Sequence, residues 1–459
     1  MQLPKIYMLG LLVISAANCY VDEFDPSSYA SVDYENVDVA IIGGGASGTY
    51  AAIALRDLGK SAIVVEAQEE LGGHTETYID PESGIAIDYG VQLYENTSVA
   101  TNYFDRLNIT YNRANLPSLP NQTVYSDFTT GKILTTFTPN TSFGPYVTQL
   151  ERFPELKWTK DFAVPVDPDL YSSFGDFLVK YSLQDLAYSI YLFSSTPILQ
   201  LPTLNVISNV GLKFLGIDTT YNRVISDEGN HVIYNNAQKL LGDSVLLNST
   251  VTSTQRHSSG SKLVVSTPTG KKLITAKQLL ITIPPVANNL APFALDTKEN
   301  DIFSNFIAEG LWPGIVKIPG LPAGVTYTNA APNNLYNLPT APAINSLTPT
   351  AIPGFYRFYL FSAEPMPYEQ ARNMSLASIK TFVDTVTGTS TEPEFIEFAS
   401  HTPWYSKFPS TAIENGTLHA LYELQGYRST WYTGMEFVLG SVSVWNYTST
   451  LIPQIAAQL

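Results

Sequence analysis

Residues Val37 to Ile42 form a short β-rich run, apolar except for Asp38, that stops at three consecutive glycines. Such a run predicts a buried strand. Apolar positions then follow a helical period from Thr49 to Leu58, and Gly59 supplies the C-terminal cap. A second strand is expected over Ser61 to Val65, with Glu66 at its end, and an alternating strand over Ile85 to Tyr89 that ends in Gly90. Between Asn96 and His231 the chain is rich in Tyr, Phe, Pro and Asn; its Leu, Tyr and Phe recur at three- and four-residue spacing from Phe174 to Phe193, which predicts a helix. Strands return from Val245 to Pro285. Residues Leu290 to Asn415 read as loop-rich, with prolines clustered from Pro313 to Pro353, and Leu418 to Leu459 read as a strand and then a helix. The two patterns alternate, so the expected domains are discontinuous.

Composition narrows the class. At 459 residues, 44% apolar and 14% charged, the chain has ample material for a core and is far from the profile of disordered chains. A net charge of -16 repels phosphate backbones and anionic lipid, so nucleic acid is not an expected partner. Lys5, a short apolar run from Ile6 to Ile14, and Ser15, Ala16 and Ala17 follow the order of a secretory signal peptide, and the run is too short for a stable membrane anchor. Residues 1–19 are the expected leader, and secretion the expected fate. Eight glycosylation sequons, at Asn96, Asn108, Asn121, Asn140, Asn248, Asn373, Asn415 and Asn446, agree with that route. Cys19 is the only cysteine, which leaves no intramolecular disulfide, cysteine nucleophile or cysteine metal site.

Strand, glycine turn, helix and strand ending in an acid make a dinucleotide-binding βαβ unit. Within Gly43-Gly44-Gly45-Ala46-Ser47-Gly48, Gly43 permits the tight turn, Gly45 lets the backbone approach a pyrophosphate, and Gly48 lets the helix pack on the strand. Ser47 lies in the first helical turn, whose N–H groups hold the phosphates. Glu66 is placed to accept hydrogen bonds from ribose hydroxyls. His231, His257, His401 and His419 show no ligand spacing, so no metal site is expected, and Asp227-Glu228 with His231 reads as a solvated loop before a helix. No serine sits in a nucleophile elbow, which removes hydrolase readings.

Leu71-Gly72-Gly73-His74-Thr75 follows Glu66, and the strand ending in Gly90 and Val91 comes next; with the βαβ unit, this block resembles the flavoprotein amine-oxidase superfamily. The resemblance continues over Val245 to Pro285 and in Tyr432-Thr433-Gly434-Met435-Glu436, similar to the closing strand of that family, and covers a little under half the chain. Through Gly-Gly-His-Thr-Glu-Thr and Leu424-Gln425-Gly426-Tyr427-Arg428 it looks closest to the secreted fungal, β-cyclopiazonate dehydrogenase-like FAD oxidoreductases. The resemblance implies one bound FAD, flanked by Gly72, Gly73, His74, Gly90, Val91, Gly434 and Glu436, with the backbone of Val251 at the adenine. The implied fold is α/β, with a discontinuous Rossmann-like FAD-binding domain over 36–95, 240–290 and 418–459 and an α+β substrate domain over 96–239 and 291–417.

His74 stands where most amine oxidases carry Arg, and Ser443 and Val444 stand near where they carry a Tyr that walls the amine site. A neutral imidazole contact to the cofactor and a covalent His74–flavin bond are both open. Trp404 and Tyr405 are candidate pocket walls or ordinary buried aromatics. Lys317 has a position similar to the family lysine beside the flavin, against the alternative of a surface lysine. The expected function is a secreted FAD-dependent oxidoreductase transferring hydride from a small organic substrate, an amine or secondary metabolite, with dioxygen as a candidate acceptor. A flavin-dependent isomerase or desaturase, and a non-catalytic binding protein on the same fold, are the rivals.

Overall fold

The computed structural model describes residues 22–113, 122–162, 164–194, 197–215 and 223–459, with the side chains at 113, 405 and 406 outside that description. The expected leader, Cys19 and Asn121 lie outside the described residues. Strand β1 (Tyr34–Ile42), helix α1 (Ala46–Asp57) and strand β2 (Ala62–Val65) form the expected βαβ unit, with β1 and β2 parallel. Pairing puts β1 inside a seven-stranded sheet ordered 250–257, 260–267, 270–281, β1, β2, 245–246, with Thr430–Tyr432 added in parallel along Leu279–Ile281. Alternate residues of β1 serve opposite faces, as strand periodicity requires. Val39 and Ile41 pack with α1, Val232–Leu241 and Ser441–Ala456, whereas Ala40 and Ile42 pack with Leu263, Val265 and the helices of the middle segment. Burial on both faces explains why the run is almost continuously apolar.

A second seven-stranded sheet runs in the order 394–398, 307–317, 355–362, 343–349, 325–329, 122–126, with Trp404–Lys407 pairing the start of Ile307–Lys317. The loop-rich reading of Leu290 to Asn415 is therefore corrected: it supplies most of this sheet and the 20-residue helix Tyr368–Thr387 packed on it. The prolines misled because many fall in the turns between strands, and two, Pro313 and Pro349, belong to strands. The helix expected over Phe174 to Phe193 is two helices, Phe174–Lys180 and Ala187–Ser194, since the chain turns at Ser182 with φ +55°.

Thr430–Tyr432 is anchored by a buried charge network. Arg256 and Glu299, both with fully buried side chains, pair at 2.6 Å; Tyr432 Oη donates to Glu299 at 2.8 Å, and Arg428 reaches the same carboxylate at 2.9 Å. Removing one member of such a pair leaves an uncompensated buried charge at a cost of about 3–5 kcal/mol. This network fixes the turn that follows, which carries Gly434 and Glu436.

Candidate active site

At the end of β1 the chain turns at Gly43, whose φ of +103° and 2.6 Å approach of a Cβ to Thr282 Oγ1 admit only glycine. A Cβ at Gly48 would lie 1.9 Å from Gly43 O, so Gly48 sets the contact of helix and strand. Gly45 is the N-cap of α1 and offers no side-chain cap, which leaves the first helical N–H groups for a ligand. Glu66 ends β2 buried, and its carboxylate accepts the Gly44 N–H at 2.6 Å and the Gln68 N–H at 2.8 Å. Those two bonds orient it and leave lone pairs for hydroxyl donors.

The next loop folds back on this turn. Gly72 N–H donates to Gly44 O at 3.0 Å, and Gly73, with φ +58°, brings its Cβ position within 3.0 Å of Gly45 Cα. Two backbones without side chains thus meet at the rim of a cavity of about 480 Å³, a volume in the usual range for cofactor and ligand sites. Gly43, Gly45, Ser47, Glu66, Gly72, Gly73 and His74 line it from this side, and Val91, Trp404, Gly434 and Glu436 from other segments. Gly90 sits beneath, where a Cβ would strike the Glu76 carboxylate and His74 O. Val251 is a buried strand residue outside the lining, and the side chain of Tyr405 lies outside the described residues.

Lys317 requires correction. It ends its strand exposed, its ammonium 5.9 Å from the Phe355 ring centroid and away from the cavity, because at a sheet end its long stem reaches water. The buried lysine of the cavity wall is Lys160, which donates to Met435 O at 3.1 Å. Burial lowers its ammonium to about 7, and burial raises the Glu436 carboxyl to about 7. No periodicity marked Lys160, which comes from an irregular segment.

His74 is held by aromatic contacts: its ring stacks on His401 at 4.2 Å and tilts against Trp404 at 5.1 Å. His231, set aside as part of a solvated loop, bonds Thr75 O through Nδ1 at 2.7 Å and packs against Gly72, so it braces the glycine loop. Among the described residues no group of His, Cys, Asp or Glu is placed to hold a metal ion.

A paired-glycine turn, an uncapped helix start and an oriented carboxylate on one cavity fit a dinucleotide. The architecture and this cradle define a Rossmann-type dinucleotide enzyme. Residues 41–107 match the NAD(P)-binding Rossmann-like domain family. The chain is 35% identical to FAD-dependent oxidoreductase dbaF of Emericella nidulans over 97% of each chain, and 35% identical to β-cyclopiazonate dehydrogenase of Aspergillus oryzae over 92% of this chain and 93% of that one. It belongs to the fungal FAD-dependent oxidoreductases, and its cofactor is FAD. Solved structures share the fold: a fatty acid isomerase from P. acnes that produces CLA (TM-score 0.69, 17% identity, 91% of this chain and 98% of that one) and a putrescine oxidase bound to putrescine (TM-score 0.63, 18% identity, 92% and 100%).

Proposed function

We propose that this enzyme is secreted and oxidises a small organic substrate by hydride transfer, with dioxygen as the electron acceptor. The observation that carries the reading is one continuous cavity running from the Gly45–Glu66 cradle to the His74, Trp404 and Glu436 walls. Bound FAD supplies the two-electron chemistry. The chain supplies the rest: Gly43 to Ser47 and Gly72 to Gly73 hold the phosphates, and Glu66 the ribose. His74 and Trp404 would close part of the cavity wall to water, and Lys160 beside Glu436 would serve there as a buried proton carrier. The secretory leader and the sequons support export.

Anaerobic mixing of the yellow protein with a candidate substrate, followed by admission of air, tests this reading. Bleaching of the flavin, return of colour in air and a product lighter by two hydrogens are expected. A product of unchanged mass overturns it in favour of an isomerase.

A further inference from the structure

The cavity wall formed by His74 and Trp404 is held from behind. The His74 imidazole has no hydrogen-bond partner of its own among the described residues; it rests on the His401 ring, with centroids 4.2 Å apart, and against the Trp404 indole at 5.1 Å. His401 also stacks on Trp404, at 5.9 Å and 28°. His74 and Trp404 line the cavity, whereas His401 is buried and stands outside the lining. The orientation of one hidden ring therefore sets both rings in front of it.

His401 in turn is fixed by a single side chain. Its Nε2 lies 2.7 and 2.8 Å from the two carboxylate oxygens of Glu76, while its Nδ1 is buried without a hydrogen-bond partner. Burial keeps the imidazole neutral, so the pair is a hydrogen-bonded dyad and not a salt bridge. Glu76 makes no ion pair with a lysine or arginine among the described residues. Such a carboxylate is costly to bury. The fold nevertheless admits it: a Cβ at Gly90 would lie 2.0 Å from Glu76 Oε2, so the glycine at that position is what leaves the space. A carboxylate bonded to one imidazole nitrogen fixes the tautomer and the orientation of the ring. Here it does so across 325 residues of sequence, from the glycine loop to the second sheet, where the His401 N–H donates to Leu311 O at 2.9 Å.

We propose that Glu76 and His401 form a positioning dyad for the flavin site: Glu76 aims the His401 ring, and His401 holds His74 and Trp404 in the orientation that they present to bound FAD. Neither member of the dyad lines the cavity, so both act through the two rings in front of them. This rests on the reading of the cavity as the site of the flavin.

Its test uses the FAD-loaded full chain and two readouts that a loss of stability alone would not move, the visible circular dichroism of the flavin band and the flavin midpoint potential from a reductive dye titration. Glu76→Ala should keep its flavin, change the visible dichroism and shift the reduction equilibrium about tenfold, which is about 30 mV for two electrons. In Glu76→Gln the amide oxygen still accepts from Nε2–H, and the native dichroism should return. His401→Phe keeps a ring against His74 but cannot bond Glu76, so it should resemble Glu76→Ala. The double variant Glu76→Ala/His401→Phe should be no more perturbed than either single one, because the two residues act through one hydrogen bond.

Native dichroism or an unmoved potential in Glu76→Ala or His401→Phe would overturn the proposal. Equal perturbation of the dichroism in Glu76→Gln and Glu76→Ala, or effects that sum in the double variant, would overturn it as well. If Glu76→Ala gives no folded protein, His401→Phe and Glu76→Gln decide by the same criteria. A native protein without flavin would overturn the reading of the cavity itself, and the role of the dyad with it.

Discussion

The imidazoles of His74 and His401 stack with their centroids 4.2 Å apart and 22° between their planes, and Glu76 shares a hydrogen bond with His401 Nε2 at 2.7 Å. Burial lowers both imidazoles to about 3, with repulsion between the two rings a smaller contribution at His74, and burial raises the Glu76 carboxyl to about 7. At neutral pH the stack presents an uncharged ring to the cavity, with its lone pair intact. The cradle thus uses a neutral, rigid side chain where an arginine would bring permanent charge.

An uncharged, immobilised imidazole on the cavity wall suits a covalent tether to the flavin. Acid precipitation of the native protein should keep the yellow colour in the pellet, and the peptide carrying His74 should gain the mass of the flavin. In His74→Ala the colour should move to the supernatant. Release of all colour from the native protein would reduce His74 to a non-covalent contact.

Two glycines of the fingerprint, Gly45 and Gly48, should separate in their effects. A Cβ at Gly45 meets only Gly73 Cα, at 3.6 Å, so Gly45→Val should fold while its branches occupy the pyrophosphate position, giving a colourless soluble protein. A Cβ at Gly48 lies 1.9 Å from Gly43 O, so Gly48→Ala should lower thermal stability as well. A yellow Gly45→Val protein with full flavin content would contradict the cradle.

The buried imidazoles set a direction for the pH dependence of stability. His401 has its folded pKa depressed below the ordinary 6.5, so at this group the unfolded chain takes up a proton first and its contribution to stability falls as pH drops from about 6.5 toward 3, opposite in sign to that of the raised Glu76 carboxyl. At pH 5 one such group costs roughly 2 kcal/mol, at about 1.4 kcal/mol per pH unit. Thermal melts of His401→Asn should fall less steeply than the native protein between pH 7 and pH 5; parallel curves would show that His401 titrates normally.

Lys160 and Lys317 make a matched pair. Lys160→Met should alter the pH profile of flavin reduction near 7, where the buried ammonium loses its proton, and Lys317→Met should leave that profile unchanged. A flat response to Lys160→Met would confine that residue to holding Met435 O.

Export is checked at the chain ends and the sequons. The mature N-terminus should fall between Asn18 and Val21, and enzymatic deglycosylation should lower the apparent mass. Asn108, Asn248, Asn373 and Asn415 are exposed in the fold and are the expected carriers. An intracellular product that retains Met1 and carries no glycan would count against secretion.

The cofactor cradle was legible because its chemistry is local: a turn, a helix start and a strand end must follow one another within one βαβ unit, so Gly43, Gly45, Gly48 and Glu66 declare themselves by order and spacing. The second sheet was not legible. Its strands are interrupted and separated by prolines, and they gain stability from partners far along the chain, as Gln122–Ser126 does from Val325–Asn329. The same limit hid the rest of the cavity wall. Lys160, Lys213 and Arg223 come from segments that no motif marked, and only the tertiary packing brings them to one cavity wall. Sequence determined where the dinucleotide is held, because adjacent residues suffice to bind it; tertiary structure alone decided what stands beside it, because burial and charge pairing arise between segments that no spacing connects.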